Sequence, residues 1–357
     1  MKNRLSYLLA AGFLATGLSL AADQAANSLA EAGHWKRLRA LAERNVAANP
    51  SDPDAAYYLA CAKEGFGDLQ AALVLAEKAV ALAPNSARNH HELGNICIDL
   101  GQKAGIFKGL GLAHRFRDEQ EKAIALDPKY LDAREALMQF YFEAPGIAGG
   151  DKKKAWAAAE EIGRIDPARG FLAQAFLAEK EKNVTKQEDF YKKALAAAPG
   201  DGRVLRSAAN FYAVSSQKKL DLAEKYALEA LKLDESRSGP YTTLGIVYSG
   251  AERWKDLDEI FSRAEKNVPD DFAPHYQSGK VLLASGKDLP RAERYFRKYL
   301  TIEPEGGEPN HAAAHWRLGQ VLEKEGKTPE AIAEMEASLR LEPDLKEAKQ
   351  DLKRLKK

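Results

Sequence analysis

Apolar and polar positions follow one another along this chain as amphipathic, Ala-rich stretches. Each stretch closes at a nearly constant interval on a Pro or its stand-in: Pro50, Pro84, Pro128, Pro167, Pro199, Glu235, Pro269, Pro304 and Pro343. The steps are 34, 44, 39, 32, 36, 34, 35 and 39 residues, which sets a base period of 34 with insertions. A unit of that length is a helix-turn-helix that cannot bury its apolar face alone, so the pattern predicts a stacked all-α array. Small residues fit that picture. Gly94, Gly245, Gly279 and Gly319 on first helices, and Ala72, Ala155, Ala223, Ala292 and Ala331 on second helices, let paired helices approach closely. Each closing Pro is expected just past a second helix, where a missing N–H does least harm. Thr328-Pro329 reads as an N-cap followed by Pro at the first helical position. Asp344 to Glu347 has capping-box spacing, ahead of a last helix with Leu345, Leu352 and Leu355 on one stripe.

The offsets inside the units resemble the tetratricopeptide repeat, which places Leu-Gly and Tyr on a first helix, then Ala, an aromatic, Ala and Pro on a second. The best-matching unit carries Tyr241, Leu244-Gly245, Tyr248, Phe261, Ala264 and Pro269 in register, with Leu257 in the usual Ala position. Leu318-Gly319, Gly326, Ala331, Met335 and Pro343 mark the last unit; Leu93-Gly94 with Gly101, and Ala292 with Phe296 and Pro304, mark two more. The resemblance implies a right-handed α-α superhelix. Residues 22–343 are expected to form about nine units, the first and fifth matching poorly, and residues 344–357 a polar capping helix.

In the resembling family, partners meet the second, fifth, ninth and twelfth positions of each first helix. In register, these concave-face positions are Tyr57, His91, Asn95, Arg206, Asn210, Tyr276, Lys280, Trp316 and Gln320. Aromatics and Arg there suit a groove for a protein or peptide partner. Arg206 and Asn210 resemble half of a carboxylate clamp, but Thr243, and Ala273 with Gln277, replace its other half, so no such clamp is expected.

Two units exceed the period between their helices. The third carries about ten extra residues near 102–113, including Gly105, Phe107, Gly109 and Gly111, and the fourth about five in the Gly-rich segment 143–150. Stacking puts equivalent loops on one edge, so Phe107, Pro145, Gly146, Gly149 and Gly150 are expected to meet as an insertion edge. A functional edge and a structural elaboration are both open readings. The segment with Phe140-Tyr141, Ala144-Pro145-Gly146, Gly149-Gly150 and Lys154-Ala155 resembles a stretch of exported bacterial tetratricopeptide proteins of unassigned role, and that likeness carries no activity.

Composition narrows the partners. Among 357 residues, 53 Lys plus Arg nearly cancel 52 Asp plus Glu, so no whole-chain field would draw nucleic acid. Lys2 and Arg4 precede an apolar run from Leu5 to Ala22, ending in Ser19-Leu20-Ala21 before Asp23. This predicts a signal peptide over residues 1–21, cleaved to leave a periplasmic or secreted protein with no stable membrane insertion. The alternative is an uncleaved N-terminal anchor, since the run approaches the roughly 18 apolar residues that a span needs. Cys61 and Cys97 are 36 residues apart, two positions out of phase with the period, so their side chains should point apart and a disulfide is not expected.

No cofactor, metal or catalytic constellation is expected. Gly146 to Lys152 lacks the Walker spacing, and Gly109-Leu110-Gly111 has no third Gly. His311 and His315 supply two ligands where a structural zinc site takes about four. No Ser or Cys stands in a recognisable nucleophile elbow, and His91-Glu92 lacks the second His of a zinc protease motif. The sequence therefore reads as an exported scaffold, with an assembly subunit of an envelope complex, or a small-molecule binder or enzyme at the insertion edge, as alternatives.

Overall fold

The computed structural model describes residues 23–216, 218–307 and 309–357; the expected signal segment, residues 1–21, lies outside them. The described residues are helices joined by turns, with no strand among them. They divide into two compact units, the first ending at Ile162 and the second running from Gly163 to Lys357.

The first unit contains α1 (23–32), α2 (Trp35–Ala48), α3 (Pro53–Gly65), α4 (Leu69–Leu82), α5 (Ala87–Lys103), α6 (Ile106–Leu126), α7 (Leu131–Glu143) and most of α8 (Lys152–Ile165). Its core is a series of local clusters. Leu38, Tyr58 and Cys61 form one, Ala72, Leu93, Ile96 and Cys97 another, and Phe116, Leu137, Phe140 and Ala148 a third. The two cysteines are buried, free and in different clusters.

The second unit continues with α9 (Pro167–Lys180), α10 (Val184–Ala197), α11 (Gly202–Val214), α12 (Leu220–Leu233), α13 (Ser238–Gly250), α14 (Trp254–Asn267), α15 (Ala273–Ser285), α16 (Leu289–Tyr299), α17 (His311–Lys324), α18 (Thr328–Leu341) and the single α19 (Lys346–Leu355). One continuous aromatic core runs through much of it, including Tyr212, Tyr241, Phe261, Tyr276, Phe296 and Tyr299. Rings of that size contribute about 1.5–3 kcal/mol each on burial.

Two local rules build the hairpins. A residue with positive φ precedes the N-cap of the second helix at Gly33, Gly67, Lys182, Lys218, Glu252 and Gly326, and helps reverse the chain within a short connection. A side chain in that backbone state costs about 1–2 kcal/mol, so the three non-Gly turns are held by their packed helices. The closing Pro then lies two residues past the helix at Pro50, Pro84, Pro128, Pro199, Pro269 and Pro343. Pro167 departs from this: it opens α9, and the Asp166 side chain accepts from Arg169 N at 3.0 Å, so one residue links α8 to α9 and the unit shortens.

Three expectations are corrected. Thr328 is the first residue of α18 and not its cap, because the Gly326 turn sets the start of the helix one residue earlier; the N-cap is Lys327, with no side-chain bond. The N-cap of α19 is Leu345, also without a side-chain bond, while Asp344 pairs with Lys349 at 3.2 Å. The insertion near 102–113 is not a loop. It lengthens α5 to 17 residues and α6 to 21, with only Ala104 and Gly105 between them.

Close helix approach is most exacting at Gly245, where a Cβ would lie 2.5 Å from Ser278 Oγ and 2.9 Å from the Phe261 ring. Gly250, at the end of the same helix, has open space around its Cβ position. Gly245→Ala is expected to destabilise the protein by about 1–3 kcal/mol through overpacking, and Gly250→Ala to be neutral or stabilising by up to about 1 kcal/mol. Urea unfolding of the two variants beside the parent checks the pair, and equal effects would contradict the packing argument.

Candidate functional site

The extended α5-α6 hairpin owes its shape to its glycines. Gly101 on α5 faces Gly109 on α6, where a Cβ on Gly109 would stand 3.0 Å from the Gly101 carbonyl oxygen. Absence of side chains there lets the two helices run together past the usual turn. The added length carries Ile106 and Phe107 outward, 80% and 92% exposed.

The fourth unit's extra residues fold into a tight turn over 144–151, containing a short 3-10 helix, Gly146–Ala148. Pro145 O accepts from Ala148 N at 2.8 Å and Gly150 N at 3.1 Å, and Tyr141 O from Asp151 N at 2.7 Å. Gly149 takes φ of 103°, and any Cβ on Gly150 would collide with the Ala144 carbonyl. Asp151 then caps α8 by accepting from Lys153 N at 2.9 Å. The turn leaves Ile147 78% exposed.

The extended hairpin and the turn meet: Ala148 packs with Ala113, Phe116 and Phe140, and Leu110 and Ala144 lie against that cluster. Between them and the ends of α3, α5 and α7 lies a groove of about 1050 Å³. Ile98, Ile106, Leu110, Phe116, Phe140, Pro145 and Ile147 form its apolar surfaces; Glu64, Asp99, Asp132, Glu135 and Glu143 its acidic ones. Neither Lys nor Arg lines it.

His91 and Asn95 are set in the groove by Gln120, fully buried on α6. His91 Nδ1 donates to Gln120 Oε1 at 2.8 Å, and His91 Nε2 accepts from Asn95 Nδ2 at 3.1 Å. The Gln120 amide donates to His91 O at 3.0 Å and Asn95 Oδ1 at 3.2 Å. This pattern has the imidazole donating from Nδ1 and accepting at Nε2. Gln120 fits because residue 94 is Gly: a Cβ there would lie 2.5 Å from its amide nitrogen.

Behind the groove wall, burial pushes the Glu92 carboxyl well above the ordinary carboxylate range. Glu64, hydrogen-bonded to Glu92, is pushed the same way by burial and then by the Glu92 and Asp99 charges. Burial raises Asp99 as well, with Lys103 opposing. The Cys61 thiol beside Glu92 is driven up by burial and by that carboxylate, which keeps it protonated and unreactive.

Other expected concave-face residues lie outside this groove. Tyr57 is half-buried under the Arg88 guanidinium, 4.5 Å from its ring centre. In the second unit Arg206 is half-buried, and burial with Arg237 and Arg203 nearby works against its charge; Asn210, one turn on, is exposed. Lys280 donates to Gln277 Oε1 at 3.1 Å, and burial with Arg317 lowers its pKa.

Three of those positions need correction. Tyr276 is core, only 4% exposed, its ring 5.5 Å from Phe296 and 4.9 Å from Tyr299. Trp316 Nε1 and Gln320 Nε2 both donate to Asp351 Oδ2 on α19, at 2.9 and 3.0 Å. The terminal helix thus takes up the positions that were expected to face a partner. The histidines considered for metal have packing roles: His311 Nε2 bonds Ile302 O at 2.8 Å, and His315 Nδ1 bonds Glu334 at 2.6 Å.

Two outcomes follow from these contacts. Folded-state Glu92 and Glu64 hold protons that the unfolded chain releases near pH 4.3, so their contribution to stability is fully present below that pH and is lost as pH rises toward the raised folded pKa values. Thermal unfolding from about pH 5 to about pH 8 should show the parent losing stability faster than Glu92→Gln, by up to about 1.4 kcal/mol per pH unit. Parallel profiles would contradict the raised carboxyl. Asp351→Ala, which removes the shared acceptor of Trp316 and Gln320, should cost about 1.5–3 kcal/mol of α19 docking and speed amide exchange in α19 while α17 stays protected.

No curated protein matches the sequence. Residues 276–345 match the tetratricopeptide repeat family. Among solved structures, yeast Tom70 is 13% identical, covers 96% of this chain and 88% of its own, and superposes with a TM-score of 0.50. A human IFIT1 dimer with m7Gppp-AAAA is 18% identical over 85% of this chain and 81% of its own, at 0.48. TTC0263, a thermophilic TPR protein from Thermus thermophilus, is 22% identical over 59% of this chain and 98% of its own, at 0.46. At 13% identity the likeness to Tom70 is one of fold alone. Residues 276–345 thus carry the tetratricopeptide repeat in sequence, and the helical hairpins of both units have the fold of tetratricopeptide-repeat proteins.

Proposed function

We propose that this protein is an exported, non-catalytic scaffold that binds a partner protein or extended peptide at the groove of its first unit. There His91 and Asn95 of the expected concave face line the same groove as Pro145 of the insertion edge, with Gly146, Gly149 and Gly150 shaping the turn and the exposed Phe107 next in sequence to the lining residue Ile106. One observation carries the reading. The three most exposed large apolar side chains among the described residues, Phe107, Ile106 and Ile147, all belong to the two insertions. Neither insertion is needed to complete a 34-residue hairpin, and exposed apolar surface beside a groove is what partner contacts use.

Both nitrogens of the groove's one imidazole are engaged by amides. Export rests on Lys2 and Arg4 ahead of the apolar run to Ala22. No helix among the described residues is long and apolar enough to cross a membrane.

A photo-crosslinking amino acid placed at Phe107 in the full chain, in the native cell, should trap a discrete partner. The same probe at Val74, 66% exposed on α4, should not. Phe107→Asp with Ile147→Asp should cut co-purification of that partner at least about tenfold, a loss of about 1.4 kcal/mol or more, with unchanged thermal unfolding. Adducts alike at both sites, or none at Phe107, would remove the basis for a groove partner.

A further inference from the structure

The charge of the groove narrows what it can hold. The whole chain is close to electrically balanced, at a net +1, yet five carboxyl groups and no Lys or Arg line this cavity, Glu64 alone among them holding its proton well above the ordinary range. The one-sign lining is therefore local and does not follow from composition. The carboxylates come from three different helices: Glu64 from α3, Asp99 from α5, and Asp132, Glu135 and Glu143 from α7. No group of three or more His, Cys, Asp or Glu among the described residues could hold a metal ion. Spaced acids suit several separate cations better than one divalent ion. Apolar residues share the same cavity, and the exposed Ile106 and Ile147 reach its edge.

Resting on the partner-groove reading above, we infer that the occupant is a cationic amphipathic segment of a partner polypeptide. Its Lys or Arg side chains meet the Asp132, Glu135 and Glu143 side of the groove, and its apolar side chains cover Ile106, Phe107 and Ile147. Charge pairing at such a wall favours the right partner and speeds encounter, while the apolar contacts supply affinity. A small free amine would satisfy the acids and leave the apolar edge uncovered.

Fluorescence anisotropy with the full chain lacking only the signal segment tests this. The probes are a labelled amphipathic peptide of Lys and Leu, its counterpart with Glu for Lys, and spermidine as competitor. The Lys peptide should bind at least about tenfold tighter than the Glu peptide and weaken as salt rises. Asp132→Lys with Glu135→Lys should reduce its affinity at least about tenfold, and so, independently, should Phe107→Ser with Ile147→Ser, each with unchanged thermal unfolding. Equal binding of the two peptides, or loss with the charge variants but none with the apolar ones together with full displacement by spermidine, overturns the inference. If the in-cell Phe107 adduct forms but the trapped segment is acidic or neutral, the cationic assignment fails while the groove stands. If no adduct forms and neither peptide binds, both fail.

Discussion

No hairpin of this chain can bury its own apolar stripe, and everything else in the fold depends on that constraint. Each pair of helices leaves one face open that only the next pair can cover, so stability is built from contacts between neighbours. Small residues set how closely those contacts form. Gly245 against Phe261 and Ser278, Gly279 against Phe296, and Gly319 against Met335 all stand where a Cβ would be too near its neighbour. The last open face is closed by α19, whose Asp351 takes the indole and amide protons of Trp316 and Gln320.

The same device, moved along the chain, produces the groove. Gly101 opposite Gly109 lets α5 and α6 stay in contact beyond the point where other hairpins turn. The projecting end has no neighbour of equal length to cover it. What remains is an apolar edge at Ile106 and Phe107, met from the next unit by the 144–151 turn. Gln120 ties the floor together, since its single buried amide serves His91 and Asn95 at once. A buried network fully satisfied in this way holds one geometry. Burial of Glu92 beside Cys61 and Glu64 is the less economical part of the site, because carboxyls in that position favour their neutral form.

Much of the fold was legible because helix pairing writes small residues and Pro at fixed offsets. The 34-residue step, the Leu-Gly pairs and the insertions can all be read from spacing alone. Site residues were legible only in part. His91, Asn95 and Pro145 line the groove, but Glu64, Asp99, Glu135 and Gln120 carried no signal. A lone acid on a charged helix looks like solvated surface until the partner helices are placed. Glycine misled in one place: Gly105, Gly109 and Gly111 suggested a loop, whereas Gly109 serves a helix crossing.

Sequence by itself determined the helical repeat, its period and where it breaks, because these are properties of local spacing and backbone sterics. Tertiary structure alone decided which polar positions are available. Register gave Tyr276, Trp316 and Gln320 the same positions on their own helices as His91 and Asn95 on α5, yet the first is packed into an aromatic core and the other two are engaged by α19. Register fixes only the direction of a side chain from its own helix. What covers that side chain depends on the length and sequence of the next helix, and the two lengthened helices and the turn beside them are where that cover is incomplete.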